Sequence, residues 1–217
     1  MKIVTGIPQA NRTEAAALYW EAFGEKLGFV LGPKYRALQF ITSVLRADHG
    51  ICAIDDQGRL LGVVGFKTAN GALVGGDFTD LRRVYGWVGA SLRILLLAAL
   101  ERGTENERFL MDGLFVATEA RGQGVGTALL DAVTEEAKRR GYAQVRLDVV
   151  DTNRRARALY LHEGFKEIET QQIGILRHIF GFRSSTTMVR DIFPSLSETS
   201  EKVDHCKTIV ARRTAGN

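Results

Sequence analysis

A chain of 217 residues is long for one small domain and short for two well-packed ones, and 45% hydrophobic with 25% charged residues fits an ordinary globular protein. The net charge of +4 is scattered, with acids nearly balancing bases, which argues against a dedicated nucleic-acid binder and suits an anionic ligand. Two cysteines, Cys52 and Cys206, exclude a disulfide framework and make a reducing cytoplasm the default expectation. The opening MKIVTGIPQANRTEAAAL lacks a signal peptide's apolar core, and the strongest apolar run, Ile94–Leu100, is too short to span a bilayer.

Lys2–Ile7 reads as an opening strand. Asn11 and Thr13 are N-cap candidates for a helix reaching about Leu27, with Leu18, Tyr19, Ala22 and Phe23 at helical spacing and Gly28 as its stop. A second helix is expected after Pro33, carrying Tyr35, Leu38, Ile41 and Leu45 on one stripe. Ile51–Ile54 and Leu60–Lys67 read as a hairpin closed by Asp55-Asp56-Gln57-Gly58. The stretch 68–108 holds a helix from about Thr79 to Glu101 whose Val84, Trp87, Val88, Leu92, Leu95, Leu96 and Leu100 form a wide apolar face. Three uses compete for that face: packing on the core, walling an acceptor pocket, or contact with a second copy or a membrane surface.

Phe109–Val116 is the next strand, and a helix over about Gly124–Arg140 buries Leu129, Leu130, Val133 and Ala137 before Gly141 caps it. Ala143–Val150 reads as an interior strand, Asn153–Glu163 as a helix, and Phe165–Thr170 and Ser184–Ile192 as the last strands. From Pro194 the chain is polar, giving one domain over 1–193, an insertion at about 68–108 and a tail over 194–217.

The densest chemical signal is Gly113–Thr127, GLFVATEARGQGVGT. An apolar strand breaks into a turn with Gly122, Gly124 and Gly126 at alternate positions, and a helix follows. Glycines permit positive φ and close backbone approach, successive amides make an anion nest, and the helix N-terminus adds its dipole. With Arg121 alongside, this is a recipe for a diphosphate cradle; alone it could equally be a tight turn. A Rossmann fingerprint is a poor match, because Ala117–Arg121 separate strand from glycines. The turn reads R-x-x-G-x-G, and further on Asn153 to Phe165 reads N-x-x-A-x-x-L-Y-x-x-x-G-F.

These two blocks, in this order and spacing, resemble the GNAT superfamily of acetyl-CoA-dependent N-acetyltransferases over roughly Leu110–Phe165. The resemblance implies a mixed α/β (α+β) fold whose largely antiparallel central sheet splays open at the cofactor cleft. It implies acetyl-CoA as co-substrate and direct transfer to a primary amine. It assigns Arg121, Gly122, Gln123, Gly124, Val125, Gly126 and Thr127 to the diphosphate and Asn153 to the pantetheine arm, with Ala156 also in the cofactor-binding set. Leu114 and Val116 belong to the same set, Val116 through a backbone N–H offered to the acetyl carbonyl. Tyr160 takes the place of the general acid that protonates the leaving thiolate; its structural alternative is a core tyrosine beside Leu159 and Phe165.

Asp112 is the candidate base for the amine, on the same face as Val116 if no bulge intervenes; otherwise it attracts a cationic acceptor or makes a structural hydrogen bond. The block Asp112–Val116 is similar to a segment of polyamine-type acetyltransferases, where an acid holds this place. Asn153 also suits an N-cap, Arg154, Arg155 and Arg157 suit either phosphates or a solvated face, and Glu25, Tyr35 and Asp77 are possible acceptor contacts. His49, His162, His178 and His205 show no ligand spacing, so no metal is expected, and Cys52 reads as core. The rival readings are a catalytically silent acyl-CoA-binding regulatory domain and a basic interaction protein; a homodimer and the identity of the amine stay open.

Overall fold

The computed structural model describes residues 1–98, 107–174 and 177–193, apart from the side chains of residues 26, 98, 178 and 179. The expected tail from Pro194, His205, Cys206 and Leu100 of the inserted helix lie outside the described residues. Seven strands form one sheet: β1 (Lys2–Thr5), β2 (Gly50–Ile54), β3 (Leu60–Lys67), β4 (Phe109–Val116), β5 (Gln144–Val150), β6 (Lys166–Gln172) and β7 (Ser184–Asp191). Their order is β1-β2-β3-β4-β5-β7-β6, and every neighbouring pair is antiparallel except β4 with β5.

Helices cover both faces. α1 (Arg12–Leu31), α2 (Lys34–Val44), α3 (Phe78–Ala98) and the short α6 (Arg177–Phe180) surround a core on one side, with Val63 and Phe115 from the sheet and Leu81 and Phe180 from the helices. On the other side α4 (Val125–Arg139) buries Leu129, Leu130, Val133 and Ala137 against the sheet, as its apolar spacing predicts. α5 (Arg154–His162) contributes Tyr160 to that second core. Gly141, at φ +83, ends α4 by donating to the Lys138 carbonyl, and Arg139 and Arg140 converge on the nearly buried Glu136.

The hairpin of β2 and β3 is as the sequence indicates: the Asp55 carboxylate accepts from the amides of Gln57 and Arg59 and from Arg59 Nε. Three helical expectations need correction. α1 runs past Gly28 to Leu31, because Gly28 stays helical and the real stop is the Gly32-Pro33 pair, whose proline cannot donate. Asn11 precedes α1 without capping it; its amide donates instead to Glu14 and to the Gly58 carbonyl. In α2 the buried stripe is Ala37, Phe40 and Ile41, continued by Leu45, while Tyr35 points to solvent. The apolar face of α3 is turned outward in large part, and the helix is broken at Gly86, at φ +73.

Two irregularities in β4 position everything that follows. β4 pairs with β5 only at Phe109↔Val145 and Leu110↔Arg146, so the strands part beyond Leu110 and open a wedge between their C-terminal ends. On its other edge β4 follows β3 from Val116↔Gly62 to Gly113↔Gly65 and then jumps to Met111↔Phe66, which leaves Asp112 as an extra, bulged residue.

Candidate active site

The wedge between β4 and β5 is the mouth of a cleft of about 500 Å³. Its walls are the end of β4, the turn before α4, the first turns of α4 and α5, and one face of α1. Backbone register decides which groups line it. The Ala117 amide donates to the Leu61 carbonyl, so by antiparallel alternation the odd-numbered residues of this part of β4 face β3. The amides of Leu114 and Val116 therefore point the other way, into the gap that β5 has vacated. A strand edge that a neighbour would normally satisfy is left open to a ligand.

The turn completes the donor set. Gly122 and Gly124 both lie at φ +78, in the left-handed region, and a Cβ at either would meet nothing within 4 Å. These glycines are there for backbone shape, and the space beside them is free. Gly124 is the N-cap of α4 and offers no side-chain cap; the first intrahelical bond is Ala128 N–H to its carbonyl, which leaves the amides of Val125, Gly126 and Thr127 without helical partners. At Gly126 a Cβ would come within 3.1 Å of Leu159 Cδ2, so this glycine lets α4 approach α5 closely. Arg121 folds back, its Nε donating to the Val116 carbonyl at 3.2 Å, and holds its charge at the cleft.

From α5, Asn153 caps the helix through the Ala156 amide at 3.2 Å and also lines the cleft, so the structural reading and cleft placement coincide. Tyr160 projects from the same helix: it is 94% buried by accessible area, has its ring 5.8 Å from Phe165, and forms part of the cleft wall. Burial pushes its phenol pKa above the ordinary tyrosine value, which keeps the proton on oxygen at neutral pH. Tyr160 is thus a core residue that also lines the cleft.

Leu114, Val116, Arg121, Gly122, Gly124, Val125, Gly126, Thr127, Asn153, Ala156 and Tyr160 all line this one cleft. Gln123 does not; its side-chain amide donates to the Glu119 carbonyl and braces the turn. Arg155 reaches the wall, whereas Arg157 is held by Glu167 through two contacts of 2.6 and 2.8 Å. Sequence reasoning missed the α1 wall of Leu18, Glu21 and Ala22. Their helical spacing was visible, but periodicity alone does not say that part of an apolar stripe lines a cavity.

Asp112 is not in that wall. The bulge breaks the parity with Val116 and corrects the expectation of a shared face: Met111 packs with the α4-side core and Phe115 with the α1-side core. Asp112 sits at the α1 side; the residue is exposed, yet enough protein crowds around its carboxyl to desolvate it. Desolvation raises its carboxyl pKa, an effect that nearby Lys67 and His49 oppose. Its own field adds to the burial that raises the Tyr19 phenol. Tyr19 in turn packs with Phe23 and Phe115 at ring separations of 4.8 and 5.8 Å, and a Cβ at Gly113 would strike the Phe23 ring at 2.8 Å. Asp77 accepts the Asp80 amide at the start of α3, Tyr35 accepts from Arg36, and Glu25 is exposed, so none of the three converges on Asp112. Among the described residues no cluster of three or more His, Cys, Asp or Glu could hold a metal ion.

A model of the acetyltransferase (GNAT) family matches residues 13–165. The chain belongs to that family. Over 58 residues this GNAT is 38% identical to thialysine N-epsilon-acetyltransferase of Bos taurus, a match covering 27% of this chain and 34% of that protein. The match thus spans about one third of the curated relative's length. Among solved structures, an N-acetyltransferase from Staphylococcus aureus Mu50 superposes with a TM-score of 0.62 at 14% identity, over 88% of this chain and 100% of its own. A ribosomal-protein-alanine N-acetyltransferase from Brucella melitensis gives a TM-score of 0.57 at 17% identity, over 88% and 99% of the two chains. At these identities the likeness is one of fold.

Proposed function

We propose that the protein moves an acetyl group from acetyl-CoA to a primary amine by direct attack within a ternary complex. The observation that supports this most is the open edge of β4: unpaired Leu114 and Val116 amides lie beside the bare N-terminus of α4, with Tyr160 across the cleft. The turn glycines and Arg121 hold the diphosphate, the β4 edge carries the pantetheine arm, and the Val116 amide polarises the acetyl carbonyl. The amine nitrogen attacks the carbonyl carbon, the carbon–sulfur bond breaks, and Tyr160 gives its proton to the departing sulfur. The amine's proton leaves to Asp112, directly or through water. Holding both reactants in line supplies much of the rate.

We take residues 1–193 as one catalytic unit, with the 68–108 segment shaping acceptor choice, and place it in the cytoplasm. A reducing compartment fits Cys52, whose buried thiol is pushed up to about 12. No helix among the described residues is long and apolar enough to cross a membrane.

The proposal is tested by free-thiol release from acetyl-CoA across a panel of primary amines. Amine-dependent CoA release is expected; binding of acetyl-CoA with no release for any amine would favour the silent acyl-CoA-binding reading. The Asp112 assignment is tested by Asp112→Asn. A base works deprotonated, so wild-type kcat/KM should fall as pH drops through a carboxyl pKa lying above the usual aspartate value. The variant should lose about 100-fold in kcat/KM and lose that acidic limb with it. An unchanged pH profile would remove Asp112 from the reaction.

A further inference from the structure

The second half of α3 is inverted for a surface helix. Beyond the break at Gly86, Trp87, Val88, Leu92 and Leu95 are 66%, 87%, 58% and 69% exposed. Arg93, the single charged residue in the described part beyond that break, is turned inward instead. Its guanidinium lies 4.0 Å over the Tyr85 ring and donates to the carbonyls of Gly89 and Gly32. Polar-in and apolar-out is the reverse of what water selects, and a contiguous apolar face of this kind has a covering partner.

Two features point to what covers it. Val88, Leu92 and Leu95 follow a four-then-three spacing, the seam by which one helix packs along another. The seam carries no charge, so an identical face can meet it about a two-fold axis without burying an unpaired ion. Among the nearby exposed cations, Arg82 stacks 4.9 Å over Trp87, Arg83 pairs with Asp80, and Arg36 stacks 5.8 Å over Tyr35. At the corner that Arg93 ties down, Phe29 and Tyr35, three residues to either side of Gly32, are exposed as well and widen the apolar ground. We infer that the Trp87–Leu95 face of α3 is a homodimer interface, in which α3 of one protomer packs against α3 of a second copy.

Sedimentation velocity on the full chain over a dilution series tests this. Wild type should be a concentration-dependent dimer. Leu92→Glu and Leu92→Lys, at an exposed position that leaves the fold and acetyl-CoA affinity intact, should each weaken it by ~100-fold. Mixing the two variants should restore pairing, because opposite charges then face each other across the seam. A wild type that stays monomeric throughout, or a dimer indifferent to both substitutions, overturns the inference. So does a monomer that co-sediments with phosphatidylcholine–phosphatidylserine vesicles through this face, which would assign it to a membrane.

Discussion

Replacing Gly124 by valine is expected to raise the dissociation constant for acetyl-CoA by ~100-fold to ~1,000-fold while leaving the protein folded. Gly124 holds φ +78 at the N-cap of α4, a conformation that costs an L-residue roughly 1–2 kcal/mol and a β-branched one more. The new side chain meets nothing within 4 Å, so the strain is relieved by rotating the turn, not by crowding a neighbour. Rotation re-aims the amides around it, and losing one or two hydrogen bonds to a charged phosphate costs about 1.5–3 kcal/mol each. Together these give the stated loss of affinity. Titration calorimetry measures it, with thermal melting as the check on folding. Unchanged affinity would mean that the glycines serve only to close the turn.

Tyr160→Phe is expected to lower kcat by ~100-fold or more, the range for loss of a general acid, with acetyl-CoA affinity and thermal stability nearly unchanged. Phenylalanine keeps the ring that packs 5.8 Å from Phe165 and removes only the hydroxyl. If Tyr160 were solely a core residue, the variant would turn over normally. The sign of the pH effect follows from the raised phenol pKa: the acid stays protonated through neutral pH, so wild-type kcat should hold on the alkaline side up to above the ordinary tyrosine range. Single-turnover measurement separates the chemical step from product release and checks both statements.

What was legible in advance follows from which interactions are local. The turn from Val116 to Val125, the cap at Asn153 and the apolar stripe of α4 are all short-range features, and all stand where the sequence indicates. The bulge at Asp112 is a property of two strands together, set by how β3 and β4 register, and no run of residues in β4 alone announces it. The same holds for α1: Gly28 looked like a stop, but a glycine inside a helix is tolerated at about 1 kcal/mol, whereas Pro33 is not. The face of α3 shows the limit of periodicity. An apolar stripe was plain in the sequence, but whether it faces the core or the outside depends on where Arg93 finds its acceptors, in Gly32 and Gly89.

The proposed reaction requires that backbone amides at the start of α4 grip the diphosphate of CoA. Titrating the purified protein with CoA and with pantetheine, which keeps the arm and lacks the phosphates, tests it most directly. A clear binding isotherm is expected for CoA, with an affinity at least ~100-fold weaker for pantetheine, since two or more charge-assisted hydrogen bonds are absent. Equal affinity for the two, or no heat from CoA at all, would contradict it.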